Sequence, residues 1–419
     1  MRKTRIGGKN MVLTNDMISR KIKKLLSIFC LLSISTLVGL GIGEMALRIV
    51  LPRIGADKHA VTETDDVLSP DSRLGHRLIP NEKEGHDSNG FKNAMPVRDE
   101  YDIVALGDSH TYGQYANGIA EDISWPRFVA EKTGLRVYNM GIWGYGTAQY
   151  YALLEQALSF SPKIIIVGLY VGNDIFNAED VVYHYQGWDE WRNPSVLVLA
   201  QNVRGADLKS IKIPLKKVRD WLNKKSVLYD FVGDRTRTLR EKIGLSKPRN
   251  VGTHDWTTND PDVSLIYDER SELETRFWLG SRLEGVNLDN PAIAEGLNVT
   301  MNFLAEMKKK TDEKGVRLVV ALIPMKEAVY GDLIREKAMQ NDFLQKTLFF
   351  EDRIRETLRE FCGEQTMDCL DMHADLFASL QAGNAIYRTT WDEHPTPLGY
   401  RAYADSIVRF LQTTSLIVL

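Results

Sequence analysis

The stretch YDIVALGDSHTYGQ, residues 101–114, constrains the fold of this chain more than any other part of the sequence. Its apolar run IVAL, residues 103–106, is typical of a strand that is buried in a parallel sheet. The glycine and aspartate that follow favour a tight turn, which presents Ser109 at the end of the strand. A serine acts as a nucleophile only with a base within hydrogen-bond reach, an acid that orients the base, and donors for an oxyanion.

Apolar runs and helical patterns alternate along much of the remaining chain. Further strands are predicted at residues 136–140, 163–170, 316–323 and 367–370. Helices are predicted at residues 125–133, 150–160, 291–314, 343–361 and 401–411. Strands that alternate with helices through short loops pair in parallel through right-handed crossovers. The predicted fold class is therefore α/β with a central parallel sheet.

Two further loops fall at the carboxyl ends of predicted strands, where α/β sheets bind their ligands. The glycine-rich loop GIWGYGT, residues 141–147, follows one strand, and Asn173 follows the next. The backbone amides of Ser109 and Gly144 and the side-chain amide of Asn173 are therefore candidate donors to an oxyanion. The simpler alternatives are a plain left-handed turn at the glycine loop and a helix N-cap at Asn173.

The base is predicted in the segment YRTTWDEHPTPLGY, residues 387–400. His394 suits this role because an unperturbed imidazole has a pKa of about 6.5. Asp392 is the candidate acid that orients the ring, and Glu393 is its substitute. A loop histidine without a role is the simpler alternative. The chain order of serine, acid and base, with acid and base on one loop, favours catalysis.

Two features elsewhere leave alternatives open. Lys326 follows a predicted strand and is a candidate to neutralise an anionic group near the site, although an ordinary surface lysine is the simpler interpretation. Cys362 and Cys369 would form a disulfide in an oxidising compartment and remain two small core residues in a reducing one.

Charge and residue spacing exclude several classes of function. A formal net charge of −3 gives no support for a nucleic-acid partner. The eight histidines show no HExxH spacing, and there is no Cys-x-x-Cys pair. The sequence therefore predicts no cofactor, no metal and no nucleic-acid partner.

The N-terminal segment predicts a membrane anchor. Residues 25–43 carry no charge, and at 1.5 Å per residue a helix over them spans about 28 Å, close to the hydrocarbon core of a bilayer. The preceding residues 1–24 are strongly basic, which predicts a cytoplasmic tail. The expected location is the inner (cytoplasmic) membrane, single-pass, with the remaining chain periplasmic or otherwise extracytoplasmic. A cleaved signal peptide is the alternative.

Two regions interrupt the α/β pattern. Residues 44–100 are polar and proline-rich, and they predict a stalk or an irregular wrap, with Phe91 in a turn anchored on the main body. Residues 178–289 predict a mainly helical insertion into a domain over residues 101–415. Its basic helix pattern at 213–232 indicates either a solvated face or contact with an anionic lipid or glycan. Because the insertion follows a carboxyl-end loop, it is placed to form a lid over the site.

Four short blocks together resemble the SGNH (GDSL-type) hydrolase superfamily. They are Gly107-Asp108-Ser109-His110, Asn139-Met140-Gly141 with Gly144, Gly172-Asn173-Asp174, and Asp392-Glu393-His394-Pro395. The resemblance covers about 101–180 and 290–410. It implies a three-layer α/β/α fold of flavodoxin-like type and an acyl-serine intermediate on Ser109.

The last block departs from the usual pattern of the family. Asp-x-x-His would place the acid at position 391, which is Trp391, whereas Asp392 gives Asp-x-His. This Asp-x-His block resembles that of membrane-anchored members similar to alginate and other exopolysaccharide O-acetyltransferases. The segment LIPMKEAVY, residues 322–330, also resembles them.

The resemblance implies an extracytoplasmic serine esterase or O-acyltransferase that acts on O-acetyl groups of a polysaccharide. Water as the acceptor gives an esterase, and a sugar hydroxyl gives a transferase. An acylated carbohydrate or other ester is the expected substrate, and a membrane acyl-donor protein is a further expected partner. The alternatives are a lipase or lysophospholipase and a non-catalytic glycan-binding subunit with the same fold.

Overall fold

The computed structural model describes residues 67–93, 96–114, 122–194, 263–268, 273–331, 334–335 and 342–417. They belong to one of two units into which the chain divides, Thr64–Leu208 with Asp255–Leu419, and the other unit lies outside the described residues. The predicted cytoplasmic tail at 1–24, the predicted membrane helix at 25–43 and the basic pattern at 213–232 also lie outside them. No helix among the described residues has the length and apolar character that a membrane span needs.

The described part of the chain contains nine strands. They are β1 (Leu68–Asp71), β2 (Gly75–Leu78), β3 (Ile103–Gly107), β4 (Val137–Gly141), β5 (Ile164–Tyr170), β6 (Val263–Asp268), β7 (Leu273–Trp278), β8 (Arg317–Ile323) and β9 (Asp368–Asp371). Five of them form one parallel sheet in the order β4-β3-β5-β8-β9. The other four form two antiparallel hairpins, β1 with β2 and β6 with β7.

Ten α-helices are described in the same ranges. They are α1 (Ser109–Tyr112), α2 (Trp125–Thr133), α3 (Thr147–Ser159), α4 (Asp174–His184), α5 (Leu279–Val286), α6 (Pro291–Glu313), α7 (Lys326–Val329), α8 (Asp342–Glu364), α9 (His373–Gln381) and α10 (Pro397–Thr413). Two short 3-10 helices lie at Glu82–Glu84 and Asp189–Trp191.

Helices cover both faces of the parallel sheet. The chain moves one way from β3 to β4 and the other way from β4 to β5, β8 and β9. Right-handed crossovers therefore place α2 on one face and α3, α6 and α8 on the other. The contacts agree, since α2 packs on α10 and α10 on α9, whereas α6 packs on α3 and α4. The predicted α/β class with a central parallel sheet is confirmed.

The core lies between the sheet and these two helix layers. All side chains of β3 and β5 are buried, as expected for parallel strands covered on both faces. Large aromatic side chains fill the layers, among them Trp125, Tyr150 and Phe303. Full burial of such a side chain contributes about 1.5–3 kcal/mol, so these residues hold the helices on the sheet.

The strand order creates a switch point next to Ser109. Counted along the parallel sheet alone, the order is 2-1-3-4-5, and the chain turns to opposite sides after its first strand, β3. Ligands of such sheets bind in the crevice outside the carboxyl ends at this point. The loops after β3, β4 and β5 leave the same edge, because Gly107 pairs with both Gly141 and Gly168.

Residues 67–93 lie against the main body. The hairpin β1–β2 buries Leu74 and Leu78, and Phe91 is buried after a turn at Gly90. His86 donates or accepts at Tyr112 of α1, with 2.8 Å between Nε2 and the hydroxyl oxygen. This segment therefore contacts the helix that begins at Ser109.

The prediction of a mainly helical insertion is wrong for the hairpin β6–β7, whose strands lie at Val263–Asp268 and Leu273–Trp278. Each strand has a short period-2 pattern, with Val263, Leu265 and Tyr267 in β6 and Leu273 and Phe277 in β7, but the charged segment DERSE at 268–272 separates the two runs and the sequence analysis missed them. The hairpin also depends on a distant contact, because Thr275 donates to the carbonyl of Arg388 at 3.3 Å. The short helices α5 and α9 were not predicted either.

Candidate active site

Ser109 is the first residue of α1 and follows β3 with only Asp108 between them. Asp108 caps this helix, since its Oδ1 accepts from the backbone amide of His110 at 2.9 Å. Because β3 leads almost directly into a capped helix, the backbone conformation at Ser109 is restricted. Ser109 is therefore held at the carboxyl edge of the sheet, beside the switch point.

His394 lies between Ser109 and Asp392. The distance from its Nε2 to the Ser109 Oγ is 2.9 Å, and that from its Nδ1 to the Asp392 Oδ1 is 2.7 Å. The same Asp392 oxygen accepts from the backbone amide of His394 at 3.1 Å. This tight turn lets an acid two residues before the histidine reach the ring. The structure thus brings together the three residues that the sequence predicts as a triad.

The charges around His394 favour its protonated form. Burial lowers the pKa of His394, but its hydrogen bond to Asp392 and the charges of Glu393, Asp392 and Asp108 outweigh burial and raise the pKa above 6.5. Burial likewise tends to raise the pKa of Asp392, yet its contacts with His394 hold that pKa below the ordinary value. Asp392 is therefore ionised at neutral pH and stabilises an imidazolium.

Asp108 is a second carboxyl group on the serine. The Ser109 hydroxyl donates to its Oδ2 at 3.2 Å, a longer distance than that to His394. Burial raises the pKa of Asp108 to about 6. The main role that the geometry gives this residue is to fix α1 through its N-cap bond.

Glu393 does not contact the ring and forms an ion pair with Arg282 of α5. The Arg282 Nε lies 3.5 Å from Glu327 Oε1, so one guanidinium contacts both Glu327 and Glu393. Potential ligand atoms of Asp392, Glu393 and His394 lie within 4.8 Å of one another. They are already engaged by the Asp392–His394 bond and by Arg282, so this arrangement fits a hydrogen-bonded triad better than a metal site.

The three predicted oxyanion donors lie on the loops that leave one edge of the sheet. Gly144 has a φ of +72° in the loop after β4, and Asn173 precedes α4 after β5. Among the described residues, the amides of Ser109 and Gly144 have no hydrogen-bond acceptor. Asn173 occupies the N-cap position of α4, as the simpler alternative expects, but its side chain makes no capping hydrogen bond. Within the part of the chain that the structure describes, none of the three donor groups is used in a hydrogen bond.

His110 is a residue of the site that the sequence analysis did not identify. Its ring stacks on Tyr170, with 3.8 Å between ring centroids, and on His394, with 5.0 Å between centroids. Burial, and next the charge of His394, hold the pKa of His110 well below 6.5, so its ring is neutral. The sequence shows His110 only as the residue after the serine, and nothing in it predicts the stacking.

Two further buried polar residues hold the loops in place. Asn139 donates to the carbonyl of Thr111 at 3.0 Å and accepts from the amide of Gly141 at 2.8 Å. Asp174 accepts from Tyr150 and from the amide of Tyr170, both at 2.9 Å. Asn139 thereby ties the loop after β4 to α1, and Asp174 ties α4 to the end of β5.

The structure bears on Lys326 and on the two cysteines, for which the sequence leaves alternatives open. Lys326 is only 1% exposed, so its interpretation as a surface lysine is wrong. Cys362 and Cys369 are both free in this structure. The Cys369 thiol has a raised pKa because of its hydrogen bond with Cys362 and its burial, so it is inert as a nucleophile.

Comparison with known proteins gives matches among solved structures alone, since no family model and no curated protein matches. A GDSL-like lipase from Bacteroides thetaiotaomicron is 11% identical with a TM-score of 0.31, and the match covers 77% of this chain and 93% of that chain. A catalytic mutant of an acetylxylan esterase from Geobacillus stearothermophilus is 12% identical with a TM-score of 0.35, covering 76% and 96%. An alpha/beta hydrolase enzyme from the metagenome of Lake Arreo, Spain, is 11% identical with a TM-score of 0.35, covering 74% and 95%. TM-scores this low do not establish a family.

Proposed function

We propose that this chain is a serine ester hydrolase or O-acyltransferase of the SGNH type that works through an acyl-serine intermediate. The observation that carries this proposal is the chain of hydrogen bonds from Ser109 through His394 to Asp392, at 2.9 and 2.7 Å. A nucleophile, a base and an orienting acid in this order form the arrangement that activates a serine.

The reaction follows from this geometry in two steps. The Ser109 Oγ attacks the acyl carbonyl carbon while His394 Nε2 takes the hydroxyl proton, and the imidazolium then protonates the leaving alcohol oxygen. The acyl group is now esterified to Ser109. Water or a sugar hydroxyl attacks it in the second step, and His394 takes the proton of that acceptor and returns it to Ser109.

The tetrahedral oxyanion is the point of highest charge in both steps. It would accept hydrogen bonds from the Ser109 and Gly144 amides and from the Asn173 side chain. One such donor typically lowers the barrier by about 3–4 kcal/mol. Because two of the three donors are backbone groups on loops fixed by Asn139 and Asp108, they need little reorganisation.

We infer further that the acyl group is an O-acetyl group of a polysaccharide outside the cytoplasmic membrane. The apolar run at 25–43 with its basic flank supports the location. The Asp-x-His block and the segment at 322–330 support the substrate class, because both resemble exopolysaccharide O-acetyltransferases. A membrane acyl-donor protein would then be the partner of a transferase.

The test is turnover of p-nitrophenyl acetate by the purified full chain, with and without oligosaccharide acceptors. Ser109→Ala and His394→Ala should each lose about 10³-fold or more, since a triad fails as a unit. Acetylated sugar among the products identifies a transferase, and free acetate alone identifies an esterase.

A series of longer acyl esters separates the alternatives in the same assay. A preference for acetyl supports the proposal, whereas a preference for long chains favours a lipase or lysophospholipase. A folded wild-type chain without turnover on any ester would contradict the catalytic proposal and favour the glycan-binding alternative.

A further inference from the structure

Lys326 lies behind the candidate triad, in contact with the loop that carries Asp392 and His394. It begins α7, with two residues between it and the end of β8, and is 1% exposed. Its Nζ donates to the carbonyl oxygens of Thr390 at 2.6 Å, Arg388 at 2.8 Å, Arg276 at 3.2 Å and Asp392 at 3.5 Å. Three of these four acceptors belong to residues 388–392.

An ammonium group has three donors and no acceptor. The carbonyls of Arg388, Thr390 and Asp392 come from alternate residues and converge on one nitrogen, so the backbone here curves around Lys326. The longer contact to Asp392 shares a donor with a shorter one. Without the ammonium, the part-buried carbonyls of Thr390 and Asp392 would lose this donor, and that of Arg388 would keep its bond from Thr275.

The charge of Lys326 is balanced by acids on several elements. Burial lowers the pKa of Lys326 to about 7, while the charges of Glu327, Asp392 and Glu393 act to raise it and that of Arg282 to lower it. Arg282 pairs with Glu393 and approaches Glu327. The adjacent acids of the loop therefore have different partners, Arg282 for Glu393 and His394 for Asp392.

We propose that Lys326 is a positioning residue, whose ammonium binds the carbonyls of Arg388, Thr390 and Asp392 and thereby holds the Asp392 carboxylate against His394. This inference rests on the proposed function. Within the loop, the Arg388 guanidinium also lies 3.6 Å from Asp392 Oδ2, so Lys326 adds support from outside the loop to a contact made within it. The hairpin β6–β7 contributes to the same support through Arg276 and Thr275.

The direct test is Lys326→Met, which preserves much of the side-chain volume and removes all donors. Lys309→Met is the matched control, because Lys309 is a 65% exposed lysine of α6. We expect Lys326→Met to lower kcat on p-nitrophenyl acetate by about 10²-fold with KM little changed, since small displacements of catalytic groups cost this much. Lys326→Gln retains two donors, so its kcat should lie between those of Lys326→Met and Lys309→Met.

A double-mutant cycle separates positioning from general loosening. If Lys326 acts through Asp392, adding Lys326→Met to Asp392→Ala should cost less than about twofold in kcat, because the group that it positions is already gone. If the losses in the two single variants multiply in the double variant, Lys326 acts independently of Asp392 and the proposal is overturned.

A readout that does not depend on turnover is the pKa of the His394 imidazole, followed by NMR. The Asp392 contact raises this pKa, so Lys326→Met should lower it and Lys309→Met should leave it unchanged. An unchanged pKa in folded Lys326→Met overturns the proposal, as does failure of both Lys326 variants to fold. If wild-type turnover does not depend on Ser109, the proposed function fails instead, and the NMR result still decides on the position of Asp392.

Discussion

At the scale of single residues, the site is built from buried groups whose neighbours determine their protonation. His394 and His110 are stacked imidazoles with opposite pKa shifts, because Asp392 contacts the first and burial dominates at the second. The pair therefore has one ring that can accept a proton near neutral pH and one that remains neutral. This arrangement keeps a second positive charge away from the base.

The pH dependence of kcat/KM tests the state of His394. A general base must be unprotonated, so activity should fall as the pH drops through the pKa of His394, which lies above 6.5. Asp392→Asn should move this acidic limb to lower pH and reduce kcat by about 10²–10⁴-fold. A limb that stays in place in Asp392→Asn would show that Asp392 does not act on His394.

Asp174 gives a prediction about stability at the same scale. Burial raises its pKa in the folded chain well above the ordinary value of 3.8. Its contribution to the free energy of unfolding is therefore complete below about pH 3.8 and is lost as the pH rises toward the folded-state pKa. Asp174→Asn preserves the shape and does not titrate. The free energy of unfolding of Asp174→Asn should therefore increase relative to that of wild type as the pH rises.

Urea unfolding at pH 5, 6.5 and 8 measures this difference. Wild-type and Asp174→Asn curves that shift in parallel with pH would show that Asp174 is ionised in the folded chain. The result also bears on the candidate site, because Asp174 directly follows the candidate oxyanion donor Asn173 and fixes the start of α4.

At the scale of secondary structure, close packing of α4 and α6 holds Asn173 at the edge of the site. Gly296 of α6 lies over the carbonyl of Ile175 in α4, and a Cβ at this position would be 2.3 Å from that oxygen. The two helices can approach this closely only because position 296 has no side chain. α4 begins next to Asn173, so its position sets that of the candidate oxyanion donor.

Gly296→Ala should therefore destabilise the chain by about 1–3 kcal/mol, since it forces the two helices apart. Gly363→Ala is the control, because Gly363 lies in α8 with nothing within 4 Å of the added Cβ. It should stabilise by about 0.5 kcal/mol through helix propensity. Equal effects of the two changes on denaturant midpoints would contradict the close contact of α4 and α6.

The sequence predicts elements well where their own pattern is sufficient. The strands β3, β5 and β8 are continuous apolar runs, and the structure places them within about one residue of the prediction. The helix α1 and the hairpin β6–β7 were missed, because α1 has four residues and the two short apolar patterns of the hairpin flank a charged segment. Tertiary contacts such as Thr275 with Arg388 determine elements of this kind.

At the scale of the whole molecule, the candidate site draws on loops far apart in the sequence. Ser109 and His394 meet because β3 is an inner strand of the sheet and α10 returns to the face that carries α2. Motif order and carboxyl-end placement predict the triad and the three donors from sequence. The sequence does not reveal Lys326, Arg282 and His110 in their roles, because burial and partners decide those roles.

The prediction of a membrane anchor at 25–43 belongs to this scale. We expect the full chain to remain in the membrane fraction after alkaline carbonate extraction, and a chain that lacks 25–43 to be released. Protease added outside the cytoplasmic membrane should digest the part that carries Ser109. Protection of that part in intact spheroplasts would contradict the predicted orientation.

The central claim is that Ser109 is an activated nucleophile, and labelling by a fluorophosphonate followed by mass spectrometry tests it most directly. Wild type and Ser159→Ala, a change at an exposed serine of α3, should each gain one label, on the peptide that contains Ser109. Ser109→Ala should gain none, and His394→Ala should react far more slowly, because the hydroxyl has lost its base. Equal labelling of wild type and Ser109→Ala, or no labelling of folded wild type, would contradict the account.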